Sequence, residues 1–210
     1  VLRNRAITDV FEPGSTIKAF TIAAALESGF YTPETIVETS PGWMMIGADE
    51  IKDLFDYGTL TVEKIITKSS NIGSSKIALQ IGAEPIRNVL DRVGFGQAAV
   101  TGFPGERSGI LPNLRRWSRI ETATLSFGYG LSSSALQLAQ AYSVIADGGI
   151  RKPVSLLKLS EEAIADLPRE RVLSETISNQ VLEILKTVVD SSRGGSAVEA
   201  KVPFYTVAGK

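Results

Sequence analysis

The chain has 210 residues, no cysteine and no histidine, and its 22 Lys+Arg against 23 Asp+Glu leave a formal net charge of -1. This length supports one substantial domain or two small ones, and a hydrophobic share of 43% supports a real core. The composition excludes Ser-His-Asp hydrolysis, histidine bases, histidine or thiolate metal sites, disulfides and a basic surplus for nucleic acid. Nucleophilic chemistry at neutral pH must therefore take its base from Lys, Asp, Glu or Tyr. No cofactor motif appears. No apolar run approaches 18 residues and no signal-like N-terminus is seen.

In chain order, Val1 to Phe11 reads as an irregular lead-in or strand end. Pro13-Gly14 breaks the chain, and Ser15 is placed as a natural helix start. A long apolar helix follows to about Ser28, stopped by Gly29. Tyr31 to Asp56 is loop-rich, with a short strand at Trp43–Ile46. Thr61 caps a helix that turns Val62, Ile65 and Ile66 to one side. After Lys68-Ser69-Ser70-Asn71 comes a second helix to Ile81, then a third whose Pro85 is placed as its first helical residue and whose Ile86, Val89, Leu90 and Val93 line one face. Gly94 to Pro112 is loop, and Arg119 to Ser126 is helix. Ser134 to Ala146 is a helix with Leu136, Ala139, Tyr142 and Ile145 inward. Pro153–Leu159 reads as strand, Glu175–Val189 as helix, Asp190–Ser196 as a Gly/Ser loop and Phe204–Ala208 as strand.

Three short motifs carry chemistry. Ser15 and Lys18 are i and i+3 on a helix, where side chains share a face about 5–6 Å apart. A hydroxyl beside an amine is a nucleophile with its own base. Ser-x-x-Lys alone is weak, since roughly one copy arises by chance in a chain this long. The plain alternative is that Ser15 only caps the helix. Ser155-Leu156-Leu157-Lys158 also fits, but in a strand its ends face opposite sides. Ser69-x-Asn71 would point both side chains one way if the link between its helices is extended; the alternative is a turn with Asn left-handed. Lys210 closes Ala208-Gly209-Lys210 as a cation at a strand end, or as an exposed terminal lysine. Glu84, in a Glu-x-x-x-Asn pattern, reads as helix start rather than water-activating carboxylate.

Ser-x-x-Lys, a Ser-x-Asn-type triplet and Lys-Thr-Gly, in that order, are the signature of β-lactamases and penicillin-binding proteins. With Ser15, Lys18, Ser69, Asn71 and Lys210 so ordered, the chain resembles the transpeptidase domain of class B penicillin-binding proteins, nearest the septal type known as penicillin-binding protein 3. The likeness extends over nearly the whole chain: Arg5 to Ser15 resembles the family's entry to the nucleophile, Phe127–Gly130 and Leu136–Tyr142 its later helix, and Phe204–Lys210 the strand entering Lys-Thr/Ser-Gly.

The resemblance implies a mixed α/β fold of the β-lactamase/transpeptidase type: an antiparallel sheet flanked by helices, with an all-helical subdomain. It implies that residues 1–210 are a partial domain of a longer protein, cut within the third motif and lacking an N-terminal anchor and non-catalytic module. It implies D,D-transpeptidation of peptidoglycan stem peptides ending in D-Ala-D-Ala, with β-lactams acylating Ser15. Lys18, beside Lys210, would be the base; Ser69 would relay the proton and Asn71 hold the substrate amide. The oxyanion hole would use the Ser15 N–H and one beyond Lys210. Membrane proteins of the division machinery would be partners, at the periplasmic face of the inner membrane. The rivals are a serine β-lactamase, a β-lactam sensor, or a non-catalytic division scaffold.

Overall fold

The computed structural model describes residues 3–113 and 116–210. The first two residues of the expected lead-in, Val1 and Leu2, lie outside them. In the rest of that lead-in a short helix α1 (Arg5–Thr8) forms, and Phe11 bridges antiparallel to Ser133. The helix after Pro13 opens as a 3-10 turn, Gly14–Ile17, and continues as α2 (Lys18–Glu27). Every residue of α2 from Lys18 to Leu26 is buried. A helix apolar all round needs cover on all sides. Here α4 (Asn71–Ile81), α5 (Ala83–Arg92) and α9 (Glu175–Thr187) supply it, with α3 (Val62–Lys68) alongside.

The strands are short and antiparallel. β1 (Ile36–Glu38) pairs with β4 (Thr59–Thr61), β2 (Trp43–Ile46) with β3 (Asp49–Lys52), and β5 (Ile150–Arg151) with β6 (Glu170–Arg171). Each ladder has two strands, so the described residues are helix-rich, with no larger sheet among them. Thr61 caps α3 by accepting from Lys64 N–H, and Val62, Ile65 and Ile66 are buried as their spacing requires. In α5, Ile86, Val89 and Leu90 enter the core with Val93 just beyond; the helix starts at Ala83, two residues before the expected start, so Pro85 is its third residue, still where no intrahelical N–H is needed. Helix α6 (Arg119–Leu125) and α7 (Ala135–Ala146) each start on a capping box, Ser118 with Glu121 and Ser134 with Gln137. No helix among the described residues is long and apolar enough to cross a membrane.

Three expectations fail. The buried face of α7 is Gln137, Gln140, Ala141, Val144 and Ile145, while Ala139 is exposed. The glutamines are buried because each has backbone partners: Gln137 donates to Gln97 O and Ser108 O, and Gln140 to Lys152 O. Pro153–Leu159 is not a strand but an irregular, largely exposed segment. Phe204–Ala208 is likewise irregular, with Tyr205 N–H closing a turn onto Val202 O. Both have strand composition, yet a strand exists only against a neighbour, and none pairs with either among the described residues.

Candidate active site

Ser15 lies within the 3-10 turn, and its side chain caps nothing. The plain capping role is therefore absent. Among the described residues its hydroxyl makes no hydrogen bond, and the residue lines a cleft of about 510 Å³ with Ser69 and Asn71. The turn is held from behind: Gly14 N–H donates to Gly128 O, and Gly130 N–H to Glu12 Oε1. Gly128, at φ +89, lies so close that a Cβ would fall 2.0 Å from Gly14 O. Only glycine permits that approach. Tyr142 donates to Thr16 O, and Thr21 and Ser74 both donate to Ser126 O, joining α2, α4, α6 and α7 beneath the site.

Lys18 is fully buried at the start of α2. Its amine lies 2.6 Å from Ser69 O, 2.7 Å from Asn71 Oδ1 and 3.2 Å from Ser69 Oγ. It makes no hydrogen bond to Ser15, so sharing a face brings the two near without joining them. Two of the partners can only accept, while the Ser69 hydroxyl accepts or donates. The set fits an ammonium donating three times. It equally fits a neutral amine donating twice and accepting from Ser69. Burial, then the charge of Lys210, push the Lys18 pKa down to about 7, against an opposing pull from Asp53. A fall from 10.5 to about 7 amounts to roughly 5 kcal/mol of differential interaction.

The link carrying Ser69 and Asn71 is not extended. Ser69 is left-handed, at φ 60 and ψ 37, and Asn71 is the first residue of α4. The left-handed residue is thus Ser69 rather than Asn71. That conformation lets one residue offer both its carbonyl and its hydroxyl to Lys18, at a steric cost that serine bears poorly. Asn71 Nδ2 donates to Lys52 O, so both ends of its amide are engaged.

Asp53, just past β3, was not singled out by sequence reasoning. Its carboxylate accepts from Ser70 Oγ, Asn71 N–H and Ile72 N–H. Ser70 Oγ in turn accepts from Gly73 N–H as the N-cap of α4. The carboxylate satisfies donors that a helix start leaves open and complements its dipole. One available signal was that the Asn71 helix lacks an acid in its own first turn.

Lys210 is half-buried and lines an apolar hollow with Thr16, Ala135, Leu138, Ala139 and Tyr142, a hollow separate from the cleft that Ser15 lines. Burial pushes its pKa down to about 8, and its charge reaches Lys18. The other Ser-x-x-Lys copy is remote in kind: Ser155 bonds its own backbone at Leu157, in an exposed stretch. Glu84 accepts from the Trp117 indole N–H and does not line the cleft. Among the described residues no cluster of acids suits a metal ion.

The family model for the penicillin binding protein transpeptidase domain matches residues 1–210. The chain is 46% identical to a probable peptidoglycan D,D-transpeptidase, PbpC, of Pseudomonas aeruginosa, over all of this chain and 36% of that protein. It is 41% identical to the peptidoglycan D,D-transpeptidase FtsI of Escherichia coli, over 99% of this chain and 34% of that one. It thus spans about a third of the length of these curated relatives. Among solved structures it is similar to the apo TP domain of penicillin-binding protein 3 from Burkholderia pseudomallei, at a TM-score of 0.91 and 44% identity, covering 98% of this chain and 61% of that one. It is also similar to a peptidoglycan glycosyltransferase from Burkholderia ambifaria, at a TM-score of 0.93 and 44% identity, covering 100% and 65%. The mixed, helix-rich architecture agrees with these neighbours, and the chain belongs to the penicillin-binding protein transpeptidase domain family.

Proposed function

We propose that the protein is a peptidoglycan D,D-transpeptidase of septal wall synthesis, acting through an acyl-enzyme on Ser15. The observation that carries this reading is the Lys18–Ser69–Asn71 cluster: a buried amine with a pKa of about 7, in a chain of 210 residues without histidine, whose partners share a cleft with a serine hydroxyl that is unbonded among the described residues.

In the first half-reaction Ser15 Oγ bonds to the carbonyl carbon of the penultimate D-Ala, and Lys18 takes its proton. The Ser15–Lys18 hydrogen bond forms as substrate closes the site, since such contacts are often long without it. The C–N bond to the last D-Ala breaks, and Ser69 passes a proton to the leaving amine. In the second half an amine of a neighbouring stem peptide attacks the ester; a C–N bond forms, the C–O bond breaks, and Ser15 regains its proton. The Ser15 N–H stands in a first helical turn, where N–H groups lack intrahelical partners, and serves as an oxyanion donor. Asn71 holds Lys18 in place as well as meeting the substrate amide. β-Lactams enter the same path and stay on Ser15.

No carboxylate lines the cleft among the described residues, and Asp53 is committed to the start of α4. That supports a slow release of the acyl group over β-lactamase action. In this reading the protein acts at the periplasmic face of the bacterial inner membrane, where its peptidoglycan substrate would lie, with membrane proteins of the division machinery as partners. Intact-mass analysis after benzylpenicillin treatment tests the core of this reading. One lasting adduct, absent from Ser15→Ala, is expected. Rapid hydrolysis of the penicillin would make the protein a β-lactamase, and the absence of any adduct would make it a non-catalytic module.

A further inference from the structure

Lys68 stands immediately before Ser69 and lines the same cleft as Ser15, Ser69 and Asn71. Its ammonium donates to Gly194 O at 2.8 Å and makes no ion pair among the described residues. The nearby charges are otherwise taken: Glu63 is paired with Arg193, and Lys64 donates to Arg193 O. A lysine ammonium has three donors, so two remain after Gly194. Among the described residues no acid lines the cleft; its other walls are Leu54, Phe55, Tyr57 and the backbone-rich run Gly194-Gly195-Ser196. The cleft therefore offers one cation without an acid beside it, an apolar part of its lining, and room for a peptide, since small-ligand sites fill about 300–1,000 Å³.

Resting on the acyl-donor reading above, we propose that Lys68 is a specificity-determining residue that binds a carboxylate carried by the acyl portion of the donor, away from the scissile bond. The location argues for that portion. The cation placed to act on the Lys18 base is Lys210, which lines a separate hollow beside Thr16 and Tyr142. Lys68 is instead hydrogen-bonded to Gly194 and lines the cleft that Ser15, Ser69 and Asn71 share. A peptide lying between the Leu54-Phe55 rim and Gly194 passes its side groups over Lys68. The Gly194 contact holds the ammonium in place: a Cβ at Gly194 would come 2.5 Å from Nζ, so the backbone lies directly against it.

The probe pair is carbenicillin and benzylpenicillin, which differ by one carboxylate on the acyl side chain. Second-order acylation rates are measured for both, on wild type, Lys68→Gln and Lys68→Arg. The readout is the rate ratio, carbenicillin to benzylpenicillin. In Lys68→Gln, which retains a donor for Gly194 O, that ratio should fall about five- to tenfold, the range of a partly shielded ion pair. Lys68→Arg should retain it, and raising salt should shrink it in wild type and in Lys68→Arg but not in Lys68→Gln. An unchanged ratio in Lys68→Gln, even with both rates lowered, would make Lys68 a mere anchor of the loop and overturn the proposal. Failure of wild type to be acylated by either penicillin would instead overturn the transpeptidase reading and this inference with it.

Discussion

Two regions meet at the cleft, and they are built differently. From Asp53 to Ile81 the chain specifies itself: Thr61 caps α3, Ser70 caps α4, and Asp53 covers the N–H groups of Asn71 and Ile72. From Asp190 to Lys210 it borrows its shape. Lys64 and Lys68 hold the carbonyls of Arg193 and Gly194, Glu63 pairs with Arg193, and Ala197 N–H reaches Val188 O. Beyond that, Phe204 and Tyr205 stand exposed. Lys18 answers to both regions, through hydrogen bonds to the first and through charge alone to the second. A self-capped segment can fix atoms to within a bond; a borrowed one supplies field and walls.

The sharpest test of that difference is Lys18→Ala. It removes the group in which the regions meet, and acylation should slow by about 10²–10⁴-fold, the usual contribution of a general base. Lys158→Ala, in the exposed second copy of the motif, should change nothing. A near-wild-type rate in Lys18→Ala would move the base to Lys210 or to solvent. In wild type, acylation should rise with pH through about 7, because only the neutral amine accepts a proton.

Asp53→Asn breaks the self-specified side alone. It withdraws the charge from the Ser70, Asn71 and Ile72 donors and also from Lys18. Acylation should fall about 10- to 100-fold if Asn71 and Ser69 shift by a fraction of an ångström. The midpoint of the pH–rate profile should move to lower pH, since Asp53 holds the Lys18 pKa up. A lower rate with an unmoved midpoint would show that Asp53 positions Asn71 without acting electrically on Lys18.

How far the sequence reaches follows the same division. Ser15, Lys18, Ser69 and Asn71 were legible as candidates because each belongs to a short motif whose spacing is local, α3 because its Thr61 cap and apolar period agree, and α5 because its apolar period is regular. The left-handed Ser69 was not legible: no local feature distinguishes it from an extended serine, and the reward for the strain is a contact with Lys18, 51 residues away. Asp53 was hidden for a like reason, since it acts on a helix 18 residues further on. Gln137 and Gln140 upset the reading of α7 because burial follows hydrogen-bond partners in distant loops. Strand composition at Pro153–Leu159 and Phe204–Ala208 misled because a strand is a property of pairs.

A third prediction weighs what burying Lys18 costs the fold. The unfolded chain holds that proton up to about 10.5, while the folded one releases it near 7. Between those values the unfolded state binds more protons, so stability rises with pH. The slope approaches about 1.4 kcal/mol per pH unit for one such group. Denaturant midpoints from pH 7.5 to 9.5 should climb in wild type more than in Lys18→Met, which lacks the group. Parallel slopes would mean that Lys18 is not depressed in the folded state.

The smallest effect belongs to the borrowed side. Glu63 accepts from Arg193 Nη1 through both oxygens, at 3.1 Å each, in a partly exposed pair. Such pairs contribute about 0–1 kcal/mol, so Glu63→Gln should leave global stability almost unchanged. Its consequence is local. Arg193 keeps its more distant contact with Asp190, and Lys64 and Lys68 keep their backbone acceptors, but the tie that orients the loop across α3 is weakened. Segments with few buried contacts open well below the global unfolding free energy. Amide hydrogen exchange should therefore quicken across Ser191–Ser196 while α3 and α4 stay protected. If exchange instead quickens in both regions together, the two are one cooperative unit, and the loop shares the rigidity of the helices it leans on.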